Sequence, residues 1–167
     1  PAHIPFVHSR TFSNPNLPEV ELGEAIEHPD KLIFKFGLWE LDIETAKSEL
    51  SKTFSNYELH IFRPLLPYYK RGNPEVNMTS LFAVTPVSEQ ECIAWSLTAF
   101  KGVHNMTYEQ WCTTEAKILS EDRMIIESQR PSRLPLDLQA EVNLPTDRYS
   151  IVYRKWLKKQ GVTFGCI

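Results

Sequence analysis

The stretch Lys117-Ile-Leu-Ser-Glu-Asp-Arg-Met-Ile-Ile-Glu-Ser-Gln129 combines aliphatic residues at helical spacing with a carboxylate among them, Asp122. In a helix, the residues three and four positions away from Asp122 lie beside it on one face. All four are aliphatic, namely Ile118, Leu119, Ile125 and Ile126. The spacing predicts a helix whose core-facing side includes Asp122, whereas Glu121, Arg123 and Glu127 fall on other faces.

A carboxylate in that position needs a partner, because burial of an ionised carboxylate costs on the order of several kcal/mol when nothing offsets its charge. Two interpretations follow from the helix alone. Asp122 is either a metal ligand or a structural acid, and a structural acid would be held by an arginine or by backbone donors, or exposed by a shift of the helix. The metal-ligand interpretation requires neutral imidazoles from elsewhere in the chain.

Two histidines near the start of the chain, His3 and His8, are candidates for those imidazoles. They stand five positions apart among apolar residues, with Pro5 between them. A regular helix sets residues five apart on different faces, but a proline removes a backbone donor and can kink the segment, which changes that angle. The two rings can therefore converge, or they are two solvated polar residues near a chain terminus.

The composition is that of an ordinary globular protein: 167 residues, 42% hydrophobic and 23% charged, which predicts a single domain over residues 1–167. A net charge of -3 with scattered Lys and Arg gives no basic face, which excludes a nucleic-acid-binding protein. Three widely separated cysteines predict no disulfide framework and a reducing, cytoplasmic setting. No apolar run approaches the roughly 20 residues of a membrane span.

The order of the predicted elements indicates the fold class. Four segments have the composition and alternation of β-strands: 32–41, 57–63, 77–87 and 91–101. A capping box at Thr107 and Gln110 predicts the start of the long helix, which continues to Gln129. A second amphipathic helix is predicted from Tyr149 to a stop at Gly161. We therefore expect an α+β fold in which a curved antiparallel sheet wraps around a long C-terminal helix, with a ligand cavity between them.

The candidate site residues come from opposite ends of the chain. If the opening segment lies against the long helix, His3, His8 and Asp122 meet there. Two imidazoles and one carboxylate on one face of a metal form the facial triad of non-haem Fe(II) oxygenases. The same residues also suit Zn²⁺ with an open position, as in a zinc hydrolase. The cavity alone suits a module that binds an apolar ligand without chemistry, with the histidines incidental.

Three segments resemble one family. His3-Ile-Pro-Phe-Val-His8 resembles the segment with two histidines five apart in Rieske-type aromatic-ring hydroxylating oxygenases. Glu121-Asp-Arg-Met-Ile-Ile-Glu-Ser-Gln129 is similar to the helix that supplies their carboxylate ligand. Residues 134–157 resemble the C-terminal part of the vanillate O-demethylase-like branch, so the resemblance extends over nearly the whole chain.

The resemblance implies a fold, a cofactor and partners. It implies a catalytic domain with the helix-grip fold of START and Bet v 1 proteins. His3, His8 and Asp122 are then expected to bind a mononuclear Fe(II), which activates O2 to hydroxylate or O-demethylate an aromatic or other apolar small molecule. For the full-length protein, the resemblance implies a reductase or ferredoxin as electron donor and a homotrimeric assembly.

The same family carries a two-iron, two-sulfur cluster in an N-terminal Rieske domain, held by Cys-x-His and Cys-x-x-His motifs. None of Cys92, Cys112 and Cys166 is followed by a histidine at either spacing. We therefore expect this chain to be a catalytic-domain fragment, with the Rieske domain and its 2Fe-2S cluster outside it.

Overall fold

A computed structural model describes residues 7–8, 20–41, 52–72, 76–102 and 106–167. Its strands are β1 Val20–Glu27, β2 Leu32–Leu41, β3 Lys52–Arg63, β4 Leu66–Gly72, β5 Val76–Pro86 and β6 Cys92–Gly102. They form one six-stranded sheet in the order β1-β2-β3-β4-β5-β6, and each neighbouring pair is antiparallel. Two α-helices follow, α1 Tyr108–Ser128 and α2 Arg148–Lys159. The predicted α+β fold, with its antiparallel sheet and C-terminal helices, is confirmed.

The strand register defines the face of the sheet that the helices contact, called the inner face below. Phe34 pairs with Leu59, Leu59 with Tyr69, Tyr69 with Ser80, and Ser80 with Thr98. Directly paired residues lie on the same face of a sheet, so these five form one row across it. The row is apolar on β2 and β3 and carries hydroxyl groups on β5 and β6.

The hydrophobic core lies between the inner face and α2. It consists of Leu32, Phe34, Ile61, Tyr149, Trp156 and Leu157, all of them buried. Tyr149 stacks on Phe34 with ring centroids 4.7 Å apart, and its hydroxyl donates to the carbonyl of Lys35 at 2.5 Å. The amphipathic pattern of residues 149–157 therefore predicts the buried face of α2 correctly.

The long helix α1 begins as its sequence predicts. The Thr107 hydroxyl accepts a hydrogen bond from the Gln110 backbone at 3.2 Å, and the Gln110 side chain accepts one from the Thr107 backbone at 2.8 Å. This reciprocal pair is the capping box, which satisfies two of the free donors at the helix start. Further along α1, the Trp111 ring meets Phe100 of β6 edge to face, with centroids 4.6 Å apart. The first turns of α1 thus lie on the inner face at β6.

The predicted burial of the aliphatic stripe on α1 is wrong for three of its four residues. Leu119, Ile125 and Ile126 are 37%, 46% and 69% exposed. The half-buried residues are instead Trp111, Thr114, Glu115, Ile118, Glu121 and Asp122. The large Trp111 side chain packs on Phe100 of β6. Residues one, two and three turns later lie on the same side of α1 and therefore also face the sheet. Glu121 therefore lies on the inward side, contrary to the prediction that placed it on another face.

The sequence did not predict two of the strands, β1 and β4. Strand β1 has glutamates at several positions, and β4 begins beside two prolines, Pro64 and Pro67, that favour a bend. In the structure the bend is the Pro64–Leu65 turn, and Pro67 is already paired with Ile61 near the start of β4.

Neither α1 nor α2, the helices of the described part of the chain, is long and apolar enough to cross a membrane.

Candidate metal site

His8 lies against the inward side of α1. The residue is 3% exposed. Its Nδ1 atom lies 2.9 Å from Oε2 of Glu121, and its Nε2 atom lies 3.1 Å from Oδ1 of Asp122. Two carboxylates that are adjacent in sequence therefore hold the two nitrogens of one imidazole ring.

The structure brings together two of the three predicted site residues, His8 and Asp122. The third, His3, lies outside the described residues. Within the described ranges, no group of three or more His, Cys, Asp or Glu side chains has the geometry of a metal site. The side chains of Glu121 and Asp122 are 12% and 31% exposed, so the imidazole is held from the buried side and from the solvent side.

The protonation of His8 decides what this geometry can bind. A neutral imidazole whose Nδ1–H donates to Glu121 presents the lone pair of Nε2 to Asp122. Nε2 and Oδ1 are then two acceptors 3.1 Å apart, an arrangement that needs a proton or a cation between them. Two ligands at right angles, each about 2.1 Å from an ion, are about 3 Å apart. The spacing therefore fits a direct hydrogen bond from a protonated ring, and it equally fits two neighbouring ligands of one metal ion.

Glu121 is the residue of this site that sequence reasoning missed. A carboxylate on the second nitrogen of a metal-binding histidine is a frequent outer-shell partner, which fixes the tautomer and the ring orientation. A helical pattern counted from Trp111 rather than from the aliphatic residues would have placed residues 115, 118 and 122 on one side and Glu121 beside them. The aromatic residue was the better guide to the rotation of the helix.

The other chemistry-bearing residues lie elsewhere. His60 is hydrogen-bonded to Glu58 on the outer face of β3, and this bond lowers the pKa of the Glu58 carboxyl. All three cysteines are free thiols, with Cys92 and Cys112 exposed and Cys166 half-buried. None of these residues contributes to the contacts around His8 that the structure records.

The sequence matches a known protein family over almost its whole length. A family model described as vanillate O-demethylase oxygenase C-terminal domain matches residues 1–161. The chain belongs to this family. The predicted resemblance to the catalytic domains of Rieske-type oxygenases is confirmed by that match.

One curated relative of this domain is named as a probable demethylase of methylxanthines. A probable methylxanthine N7-demethylase, NdmC, from Pseudomonas sp. (strain TJI-51) is 30% identical over an alignment 172 residues long. The alignment covers 98% of this chain and 59% of that protein. The present chain thus spans less than two thirds of that relative.

Solved structures share the fold. Structures of the NdmA QL mutant from Pseudomonas putida CBB5 align with TM-scores of 0.66 (with caffeine) and 0.64 (with theobromine). The sequence identities are 20% and 21%, and each alignment covers 93% of this chain and 42% of the other. The oxygenase domain therefore has the predicted helix-grip architecture.

Proposed function

We propose that this chain is the catalytic domain of an oxygenase in which His3, His8 and Asp122 bind a mononuclear Fe(II). The observation that carries the proposal is the position of His8, whose Nε2 atom faces Asp122 at 3.1 Å while Glu121 holds Nδ1. This is the arrangement that a histidine and a carboxylate adopt as neighbouring ligands with an outer-shell carboxylate behind the ring. Family membership supports the same assignment.

Each residue has a defined task in this proposal. His8 and Asp122 supply a nitrogen and an oxygen ligand, and Glu121 keeps the His8 proton on Nδ1 so that Nε2 is free to bind. Bound Fe(II) supplies the oxygen chemistry: one O2, two electrons and two protons convert a substrate methyl group into a hydroxymethyl group and one water, and the hydroxymethyl group leaves as formaldehyde. The protein orients the substrate and excludes water.

The substrate we propose is a planar aromatic or heteroaromatic molecule that carries an N-methyl or O-methyl group. The family description and the relatives name vanillate, caffeine, theobromine and methylxanthines. In the whole protein, we propose that a 2Fe-2S cluster in another domain delivers electrons from a reductase or ferredoxin, that the protein assembles as a trimer, and that it works in the cytoplasm. Three free cysteines fit such a reducing compartment.

Fe(II) binding tests the metal assignment. The chain is loaded with Fe(II) under anaerobic conditions, treated with nitric oxide and studied by electron paramagnetic resonance. A signal from one ferrous site per chain supports the oxygenase, whereas a chain that retains only Zn²⁺ and gives no signal would support a zinc hydrolase instead. A chain that binds neither metal stoichiometrically would leave an apolar-ligand module as the better interpretation.

The iron-loaded chain is expected to demethylate with hydrogen peroxide but not with NADH and a reductase. Peroxide supplies the oxygen atom and the electrons together, so a methyl group and one peroxide give a hydroxymethyl group and one water. NADH-driven turnover needs a cluster, and the sequence has no cysteine with a histidine at the cluster spacing. Formaldehyde release from vanillate, caffeine and theobromine is the measurement.

The control for this assay is the iron-free chain, which should release no formaldehyde with either electron source. Sustained formaldehyde production coupled to NADH oxidation would contradict the prediction, because electrons would then reach the iron without a cluster.

Removal of the Glu121 carboxylate is expected to weaken metal binding. In Glu121→Ala, the ring of His8 loses the partner that fixes its tautomer, and the affinity for Fe(II) should fall about 10- to 100-fold. Glu121→Gln keeps an oxygen that accepts from Nδ1–H and should recover part of the loss. Metal titration measures the affinity, and the imidazole nitrogen signals in ¹⁵N NMR report which nitrogen of His8 carries the proton.

Glu127→Ala is the matched control for this experiment. Glu127 lies on the same helix but is paired with Arg123, and their side chains are 62% and 74% exposed. Its removal should leave the metal affinity and the His8 spectrum unchanged. Equal effects of Glu121→Ala and Glu127→Ala would mean that the helix, and not the contact with His8, sets the affinity.

A further inference from the structure

A second carboxylate on the inward side of α1, that of Glu115, lies apart from the His8 contacts. It stands seven residues before Asp122, which in a helix is two turns and about 10 Å along the axis on the same side. The side chain is half-buried and accepts a hydrogen bond from the Ser96 hydroxyl of β6 at 3.0 Å. Glu115 thus lies where α1 approaches the sheet.

The inner face opposite this part of α1 is lined with hydroxyl groups. Ser96 and Thr98 lie on β6, and the hydroxyl of the fully buried Ser80 on β5 is 2.8 Å from that of Thr98. Phe100 lies on the same face and contacts Trp111, one turn before Glu115. The surroundings of Glu115 therefore combine an aromatic pair with a strip of hydroxyl groups, and at its Ser96 end this strip is exposed and can be reached from solvent.

Glu115 has spare capacity for a hydrogen-bond donor. A carboxylate can accept several hydrogen bonds, and in the described part of the chain Ser96 is its one recorded partner. Burial raises the pKa of Glu115, and the hydrogen bond from Ser96 opposes this shift only in part. A ligand that donates a hydrogen bond to this carboxylate would offset the cost of its burial.

We propose that Glu115 is a specificity-determining residue that accepts a hydrogen bond from a ring N–H of the substrate, while the reacting methyl group points along α1 toward Asp122. The proposal rests on the proposed function and narrows its substrate class to heteroaromatic rings with a free N–H. The Glu115 carboxylate then binds the edge of the ring that is far from the reacting methyl group. The Asp122 carboxylate, two turns later on α1, lies near that methyl group.

Theobromine and caffeine form a matched pair of probes, because theobromine carries a ring N–H at the position where caffeine carries a methyl group. We expect the chain to bind theobromine about tenfold more tightly than caffeine, the factor that a hydrogen bond to a charged group typically contributes. Glu115→Leu should remove this preference. Glu115→Gln keeps an acceptor oxygen and should retain part of it. Isothermal titration calorimetry gives both dissociation constants for each protein.

Two controls make the outcome specific. Glu127→Leu introduces the same side chain at an exposed position of α1 and should leave the tenfold ratio intact. Thermal melts verify folding, and if Glu115→Leu does not fold, the ratio for Glu115→Gln decides. Equal binding of the two probes by the wild-type chain, no binding of either, or an unchanged preference in the Glu115 variants would overturn the proposal.

Fe(II) titration of the same samples separates this proposal from the metal assignment. The Glu115 variants should bind Fe(II) as the wild type does, since Glu115 makes no recorded contact with His8 or Asp122. A wild-type chain that binds no iron, but whose preference for theobromine is lost in Glu115→Leu, would contradict the proposed function and support the role of Glu115. A chain that binds iron without preferring theobromine would do the reverse.

Discussion

Asp122→Ala is expected to abolish stoichiometric Fe(II) binding while the chain stays folded. The substitution removes the oxygen that lies 3.1 Å from Nε2 of His8, and with it the negative charge that offsets a cation there. The loss of affinity should exceed the roughly 10- to 100-fold that an outer-shell partner contributes. Folding should survive, because the Asp122 side chain is 31% exposed and the described residues of α1 include no buried one.

Metal analysis of the reconstituted protein and a thermal melt are both needed. Asp30→Ala is the matched control, since Asp30 lies exposed between β1 and β2 and its removal should change neither measurement. A variant that retains one iron per chain would show that Asp122 is not a ligand. A variant that unfolds would show that Asp122 is the structural acid that the sequence alone left open.

Trp156→Ala is expected to lower the free energy of unfolding by about 3–5 kcal/mol, the range for truncation of a large buried aromatic residue. Trp156 is 2% exposed in the core between α2 and the inner face. Its indole nitrogen has no hydrogen-bond partner among the described residues, so the loss comes from packing and the cavity left behind rather than from a broken polar contact. Urea denaturation measures the change.

Trp95→Ala removes the same side chain from the outer face of β6, where it is 62% exposed. Its effect should stay within about 0.5 kcal/mol, as for most exposed positions. Similar losses for the two tryptophan variants would contradict the placement of the core at α2. Fe(II) affinity of folded Trp156→Ala should be preserved, since Trp156 makes no recorded contact with His8.

The elements that the sequence predicts well are those in which local chemistry and tertiary packing agree. The capping box at Thr107 fixes the start of α1, and the alternating apolar residues of β2 match the buried side of the sheet. Strand β4 escapes prediction because Pro67 disfavours a strand on local grounds, while pairing with β3 and β5 outweighs that preference. Strand β1 was not predicted because its glutamates interrupt the alternation of apolar and polar residues that indicates a strand.

Local sequence patterns also predict the candidate site only in part. A pattern of aliphatic residues identifies Asp122, but the rotation of α1 depends on where Trp111 packs, and that is a property of the assembled sheet. The sequence therefore points to the carboxylate next to His8 Nε2 and overlooks Glu121 at Nδ1. The interpretation of His3 stays a prediction, because it lies outside the described residues.

The strictly sequential order of the sheet bears on when, during folding, the chain would become able to bind the proposed metal ion. Each strand pairs with the next one along the chain, so the sheet grows through local steps that close short loops. The contact of His8 with Glu121 instead joins positions 113 residues apart, and closing a long loop costs more entropy. We expect a folding chain whose sheet and α1 are complete to hold Glu121 and Asp122 before His8 has reached them, so that binding of the proposed metal ion would come at the end of folding and could not guide its start.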